Sequence, residues 1–245
     1  MARLQQRGRS GGGSAASQQP DRFVLPTARD RLGPLALDSW MLMIATLLPA
    51  VTTIKFTATP YIPLALGFFG LGTGYLIYGP QELLKVPPRD RRVDITTGIW
   101  GVWMPGFLQF LTGTYLWVGL VWFRSIQTPA LYMAALAFTA YGVHWWAIGM
   151  GRALNGDARP NGLMSIAFFT ISAMGATVFL TVSDIPVAAL FFGLCAVYVW
   201  ESMASFGVEI AERMLGLTHI LVGSWLMYLA FAATVNFALG WNWPL

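Results

Sequence analysis

The chain has 245 residues, of which 56% are hydrophobic and only 11% charged. Soluble domains carry about 25% charged residues, so this composition excludes one and describes an all-α protein built into a membrane. The net charge of +4 resides in tails and loops, where it sets membrane orientation, and no nucleic-acid partner is expected.

Residues 1–34 are rich in Gly, Ser, Gln and Arg, include the run Ser10-Gly-Gly-Gly-Ser-Ala-Ala-Ser17, and lack an apolar block. They read as a disordered basic tail, neither a secretory signal nor a folded domain. Seven hydrophobic segments follow, at 36–54, 60–79, 97–123, 129–151, 161–183, 186–207 and 215–240. The first carries Pro49 and is followed at once by Lys55, so it either crosses the membrane or lies at its surface. It makes residues 35–56 an addition to a six-helix bundle over 57–245.

Charge in the loops favours seven crossings. With a cytoplasmic tail, the six tail arginines, Lys85, Arg89, Arg91, Arg92, Arg152, Arg159 and Arg213 fall inside, and only Lys55 and Arg124 fall outside, as the positive-inside rule requires. The expectation is a multi-pass protein of the cell (inner) membrane, with Trp241-Asn-Trp243 in the outer aromatic belt. Were the first segment to lie on the cytoplasmic surface, the basic loop at 85–92 would face outward and the bias would nearly vanish.

The loops are short, so function must reside in the helices. The segment from Leu131 to Met150 carries Tyr141 and His144 near its middle. An ionisable group at that depth is costly enough to be read first as functional, although it can also bond a neighbouring helix. Gln109 and Asn236 bring amides into apolar helices, either to meet substrate or to lock helix contacts. Pro60 and Pro63 suit a helix start, whose unpaired amides near Pro63 and Leu64 would face a carboxylate. Glu201 could carry a proton, pair with Arg213 or a histidine, or reach the interface.

Glycines at close spacing, as in Gly70-x-x-x-Gly74, or at Gly216 and Gly223, let helices approach. The single cysteine, Cys195, lies in an apolar run, which excludes an intrachain disulfide and a cysteine-based metal site. Neither a phosphate-binding glycine loop nor a nucleophile elbow is present, so no enzyme and no cofactor are expected. Two other classes stay open. One is a haem-binding electron-transfer subunit using His144 and His219; the other is a non-transporting subunit of a larger membrane complex.

Ala137-Phe-Thr-Ala-Tyr-Gly-Val-His-Trp145 resembles the Ala-Phe-Thr-Ser-Tyr-Gly-x-Phe-Trp signature of the acetate and succinate transporter family. Pro105-Gly-Phe-Leu-Gln-Phe-Leu-Thr-Gly113 is similar to the family's Gly-Gly-x-x-Gln-x-x-x-Gly. Pro60-Tyr-Ile-Pro-Leu-Ala-Leu-Gly-Phe-Phe69, Phe191-Phe-Gly-Leu194 and Gly223-Ser-Trp-Leu-Met-Tyr228 with Asn236 extend the likeness, in order, over residues 60–240. The chain departs from the pattern at Pro60, which stands where the family has asparagine, at Leu116 in place of a glutamate, and at Ala130-Leu-Tyr-Met133.

The resemblance implies a six-helix transporter bundle passing small monocarboxylates such as acetate, and succinate, through a pore in each protomer of a homo-oligomer, a hexamer in the family. It maps a constriction onto Phe69, Tyr141 and Leu194 and favours Gln109 and Asn236 as substrate contacts, beside the helix start at Pro63 and Leu64 and His144, which the residues themselves suggest. His144 replaces the family's apolar aromatic, which makes it, with Glu201, the candidate for proton coupling. Family members begin in the cytoplasm, so an additional N-terminal crossing would invert the bundle here.

Overall fold

The computed structural model describes residues 62–245. The tail at 1–34 and the hydrophobic segment at 36–54 lie outside the described residues. Within them every regular element is helical: α1 (Leu64–Leu83), α2 (residues 91–122), α3 (Ala130–Leu154), α4 (Arg159–Thr181), α5 (Ile185–Ala204) and α6 (Glu209–Leu239). By length and composition α4, α5 and α6 suffice to cross a membrane. Large apolar side chains such as Trp103, Trp122, Leu163, Ile166, Phe192 and Leu221 cover the outside of the bundle, an exterior that water would not tolerate. The chain is an all-α integral membrane protein.

Local chemistry sets the helix ends. The start of α2 falls at Arg91, six residues before the apolar run expected at 97, because Asp90 accepts hydrogen bonds from the Arg92 and Val93 amides at 2.8 Å each. Asp90→Ala is expected to lower stability by about 1 kcal/mol, and Asp90→Ser to restore most of it. Melting of the two variants in detergent checks this, and identical curves would show the cap to be idle. Asp184 caps α5 in the same way through the Val187 amide, at 3.1 Å.

Helix α1 runs through Pro80 to Leu83, beyond the apolar run that ended at 79. Helix α2 winds as π-helix over Val102–Phe107 and again over Val118–Trp122. The first of these turns holds Pro105, whose missing N–H breaks the ordinary ladder.

The helices pack as antiparallel pairs, α1 with α6, α2 with α3 and α4 with α5. Glycine permits the closest crossings. A methyl at Gly149 of α3 would stand 2.5 Å from the Gly98 carbonyl oxygen and 2.8 Å from the Val102 nitrogen of α2. Gly70 and Gly74 receive Leu108 and Pro105 of α2, so this small-residue pair serves packing within the protomer. The alternation of helices gathers Lys85, Arg89, Arg91, Arg92, Arg152, Arg159 and Arg213 at one end of the bundle and leaves Arg124 at the other.

Candidate functional site

Along α1, Leu64, Phe68, Leu71, Tyr75, Tyr78 and Glu82 recur every three or four residues, and so occupy one inward stripe. Its first half lines an apolar cavity of about 70 Å³, with Phe138 of α3, Phe179 of α4 and Phe191 of α5 opposite. Polar groups in this lining are few. Asp184, whose carboxyl is pushed up by burial, is engaged with the start of α5. Gln109 is fully buried, and among the described residues neither its amide nitrogen nor its carbonyl oxygen has a hydrogen-bond partner. An unmade bond of this kind costs about 1–3 kcal/mol, which a bound acceptor or donor would recover.

Tyr141 and Leu194 close this cavity toward the basic end, at 3% and 1% exposure. The Tyr141 hydroxyl lies 2.9 Å from Ser172 Oγ, and Ser172 donates its own proton to the Phe168 carbonyl at 2.7 Å. Tyr141 is therefore the donor of the pair. Its ring packs on Tyr198 and Phe168, with centroids 5.9 and 5.8 Å away. Cys195, next to Leu194, is half-buried and forms no disulfide.

Beyond Tyr141 and Leu194, a vestibule of about 220 Å³ opens toward the basic end, and its walls include Tyr75, Trp145 and Tyr198. His144 sits at its head, 2% exposed and stacked on Phe168 at 4.1 Å. Among the described residues neither ring nitrogen of His144 has a hydrogen-bond partner, and Nε2 stands 4.0 Å from a Glu201 carboxylate oxygen. Lower down, His219 Nδ1 meets Glu82 at 2.6 Å while its ring stacks on Tyr75 at 4.4 Å.

The mouth is salt-bridged. Arg152 joins Asp94 at 2.9 Å and the Gln81 side-chain oxygen, and stands over the Tyr78 ring at 4.6 Å. Arg89 reaches the same Asp94 at 3.1 Å, and Lys85 pairs with Glu212 at 2.7 Å. Hydrogen bonds from Arg159 hold the exposed Asp157 carboxyl down to about 2, so that it stays ionised at physiological pH.

No protein-family model and no curated protein matches this sequence. A solved structure of the bacterial acetate channel SatP does match in three dimensions, with a TM-score of 0.60 over 74% of this chain and 96% of that one, at 16% sequence identity. The chain has the acetate-channel fold.

Within the acetate-channel fold the residues singled out from sequence separate into groups. Tyr141 and Leu194 come together at one end of the apolar cavity, but Phe69 does not join them. It is 47% exposed on the outer face of α1, and its neighbour Phe68, at 4%, turns inward instead, because one residue along a helix rotates the side chain by about 100°. Leu64 and Gln109 line the apolar cavity, whereas Pro63 lines an open groove between α1, α2 and α6.

Of the first amides of α1, those of Leu64 and Leu66 are already bonded to the Ile62 and Pro63 carbonyls. Asn236 faces neither chamber. Its amide clasps Trp243, giving one hydrogen bond to the backbone oxygen and taking one from the nitrogen, both 2.8 Å. His144 and Glu201 share the vestibule, and Arg213 turns instead to Glu209 at 2.7 Å.

Sequence reasoning missed Glu82 and the partnership it makes with His219. The signal that could have found it is the inward stripe of α1, which continues through Pro80 to Glu82 after hydropathy has fallen away.

Proposed function

We propose that this protein carries small monocarboxylates of the acetate class, and succinate, across the cell membrane through the interior of each protomer, in a multi-pass, homo-oligomeric assembly. The observation that carries the reading is Gln109, a buried amide with both polar atoms unpartnered in an otherwise apolar chamber that ends on Tyr141 and Leu194. An amide N–H can take the carboxylate while Phe68 and Phe138 enclose the short alkyl part. A hydrophobic neck next to that chamber suits gating by loss of water. The fold shared with an acetate channel supports the same substrate class.

The bases collected around the vestibule support a cytoplasmic position for this end under the positive-inside rule. His144 and Glu201, one beside the neck and one across from it, would take up the proton that accompanies the anion.

Labelled acetate uptake into proteoliposomes tests the reading. Folded wild-type protein is expected to exceed empty vesicles, and Gln109→Leu to raise the half-saturating concentration about tenfold or more, the loss of a hydrogen bond to a charged group. Uptake no faster than through empty vesicles at any pH gradient would end the proposal, and an unchanged half-saturation in Gln109→Leu would remove Gln109 from it.

A further inference from the structure

We infer that Glu82–His219 and His144–Glu201 together form one proton-binding site in the vestibule, whose occupancy sets the charge that a permeating carboxylate meets. The inference rests on the transport reading for its purpose, but the site itself follows from which charges are left without a partner.

Both arginines that line the cavity are committed to Asp94, and Lys85 to Glu212. Asp157 is held by Arg159. That leaves Glu82 of α1 and Glu201 of α5, and among the described residues each has only an imidazole as its basic partner, His219 of α6 at 2.6 Å and His144 of α3 at 4.0 Å. The other titratable groups facing these four are the phenols of Tyr75, Tyr78 and Tyr198, which are neutral at physiological pH. Helix α4 contributes the Phe168 ring against His144, with no charge of its own at the pairs.

With both imidazoles neutral, Glu201 below the neck and Glu82 nearer the mouth carry two negative charges with no cation on the pairs themselves, and the one surplus positive charge of Arg89 and Arg152 sharing Asp94 lies at the mouth; an anion approaching the pairs is repelled at low local dielectric. One proton on each pair cancels that charge. The protons come from water in the vestibule, bind an imidazole nitrogen or a carboxylate oxygen, and return to water on release, with no other bond made or broken.

The two pairs do not titrate independently. They line one cavity, and Glu201 lies within electrostatic reach of both His219 and Glu82. The first proton bound therefore alters the affinity for the second. The pairs also differ in readiness. Glu82–His219 is already hydrogen-bonded, whereas His144 and Glu201 stand just beyond bonding distance, with both His144 nitrogens free.

His144 and His219 are the only two histidines in the chain, so ¹⁵N-imidazole NMR of the full-length protein in lipid nanodiscs reports two rings and no others. Glu82→Gln removes a negative charge from the cavity, and the expected result is a lower titration midpoint for His219, by about one pH unit, with a smaller shift of the same sign at His144. Glu201→Gln is expected to lower both midpoints as well, with the larger shift falling on His144. Movement of His219 alone in Glu82→Gln, or imidazole shifts of both rings that do not respond to pH between 5 and 8, would overturn the single site.

Flux separates this inference from the reading it serves. Where acetate uptake falls with rising pH in wild type and loses that dependence in Glu82→Gln and His219→Gln, the site holds. Uptake whose pH profile survives both substitutions sinks the site and leaves transport standing. Coupled titration in a protein that moves no acetate supports the site and sinks the transport reading.

Discussion

Replacing Tyr141 by alanine is expected to join the two chambers and abolish discrimination by size. The ring lines the 70 Å³ apolar cavity and packs on Tyr198, which lines the 220 Å³ vestibule, and its neighbours Phe168 and Tyr198 are held by their own contacts on α4 and α5, stacked at 5.5 Å. They cannot fill the gap without leaving those positions. Loss of an aromatic side chain from a packed core costs about 3–5 kcal/mol, so the variant melts earlier but retains its other helix contacts. No polar atom is stranded, because Ser172 still donates to the Phe168 carbonyl.

In vesicles, the ratio of acetate to benzoate flux is expected to fall about tenfold or more in Tyr141→Ala, the effect of removing a fitted apolar contact. Tyr141→Phe keeps the ring and should keep the ratio. Folded Tyr141→Ala with unchanged selectivity would mean that the neck lies elsewhere.

A large loss of stability from a backbone clash is expected in Gly149→Ala. The added methyl meets backbone on the opposite helix, the Gly98 oxygen at 2.5 Å and the Val102 nitrogen at 2.8 Å, and backbone cannot swing aside as the tip of a side chain can. Helices α2 and α3 must separate along their crossing, and overpacking of this kind costs about 1–3 kcal/mol or more. Gly151, two residues further on the same helix, has nothing within 4 Å of the place an added methyl would take. Alanine there should be neutral or stabilising, because it removes freedom from the unfolded chain. Thermal melts of the pair in detergent decide the matter, and equal melting temperatures would show the α2–α3 contact to be loose.

Much of the architecture was legible from hydropathy, since long apolar runs in a charge-poor chain leave only membrane helices as an outcome. The helix ends were less so. Asp90 starts α2 inside a stretch as polar as Arg91-Arg-Val-Asp94, where capping chemistry decides and apolar content does not. The interior was legible where a motif named a residue whose neighbours point the same way, as with Tyr141 and Leu194.

Counting along a motif failed at Phe69 and Phe68, because adjacent phenylalanines differ only in which one the helical stripe turns inward. Asn236 was misplaced for a different reason. Its partner Trp243 is close in sequence but comes within reach only once the chain turns past Gly240, at φ 69°. The Glu82–His219 contact joins residues 137 apart, and no local pattern announces it.

The chain carries a single thiol, and it sits one residue from Leu194. A step of about 100° around α5 turns Cys195 away from the neck that Leu194 helps to close, yet it remains within electrostatic reach of Tyr141. A spin label or fluorophore on that sulfur would watch the neck from just outside it, with no background cysteine to remove and no side chain of the constriction altered to make room for the probe.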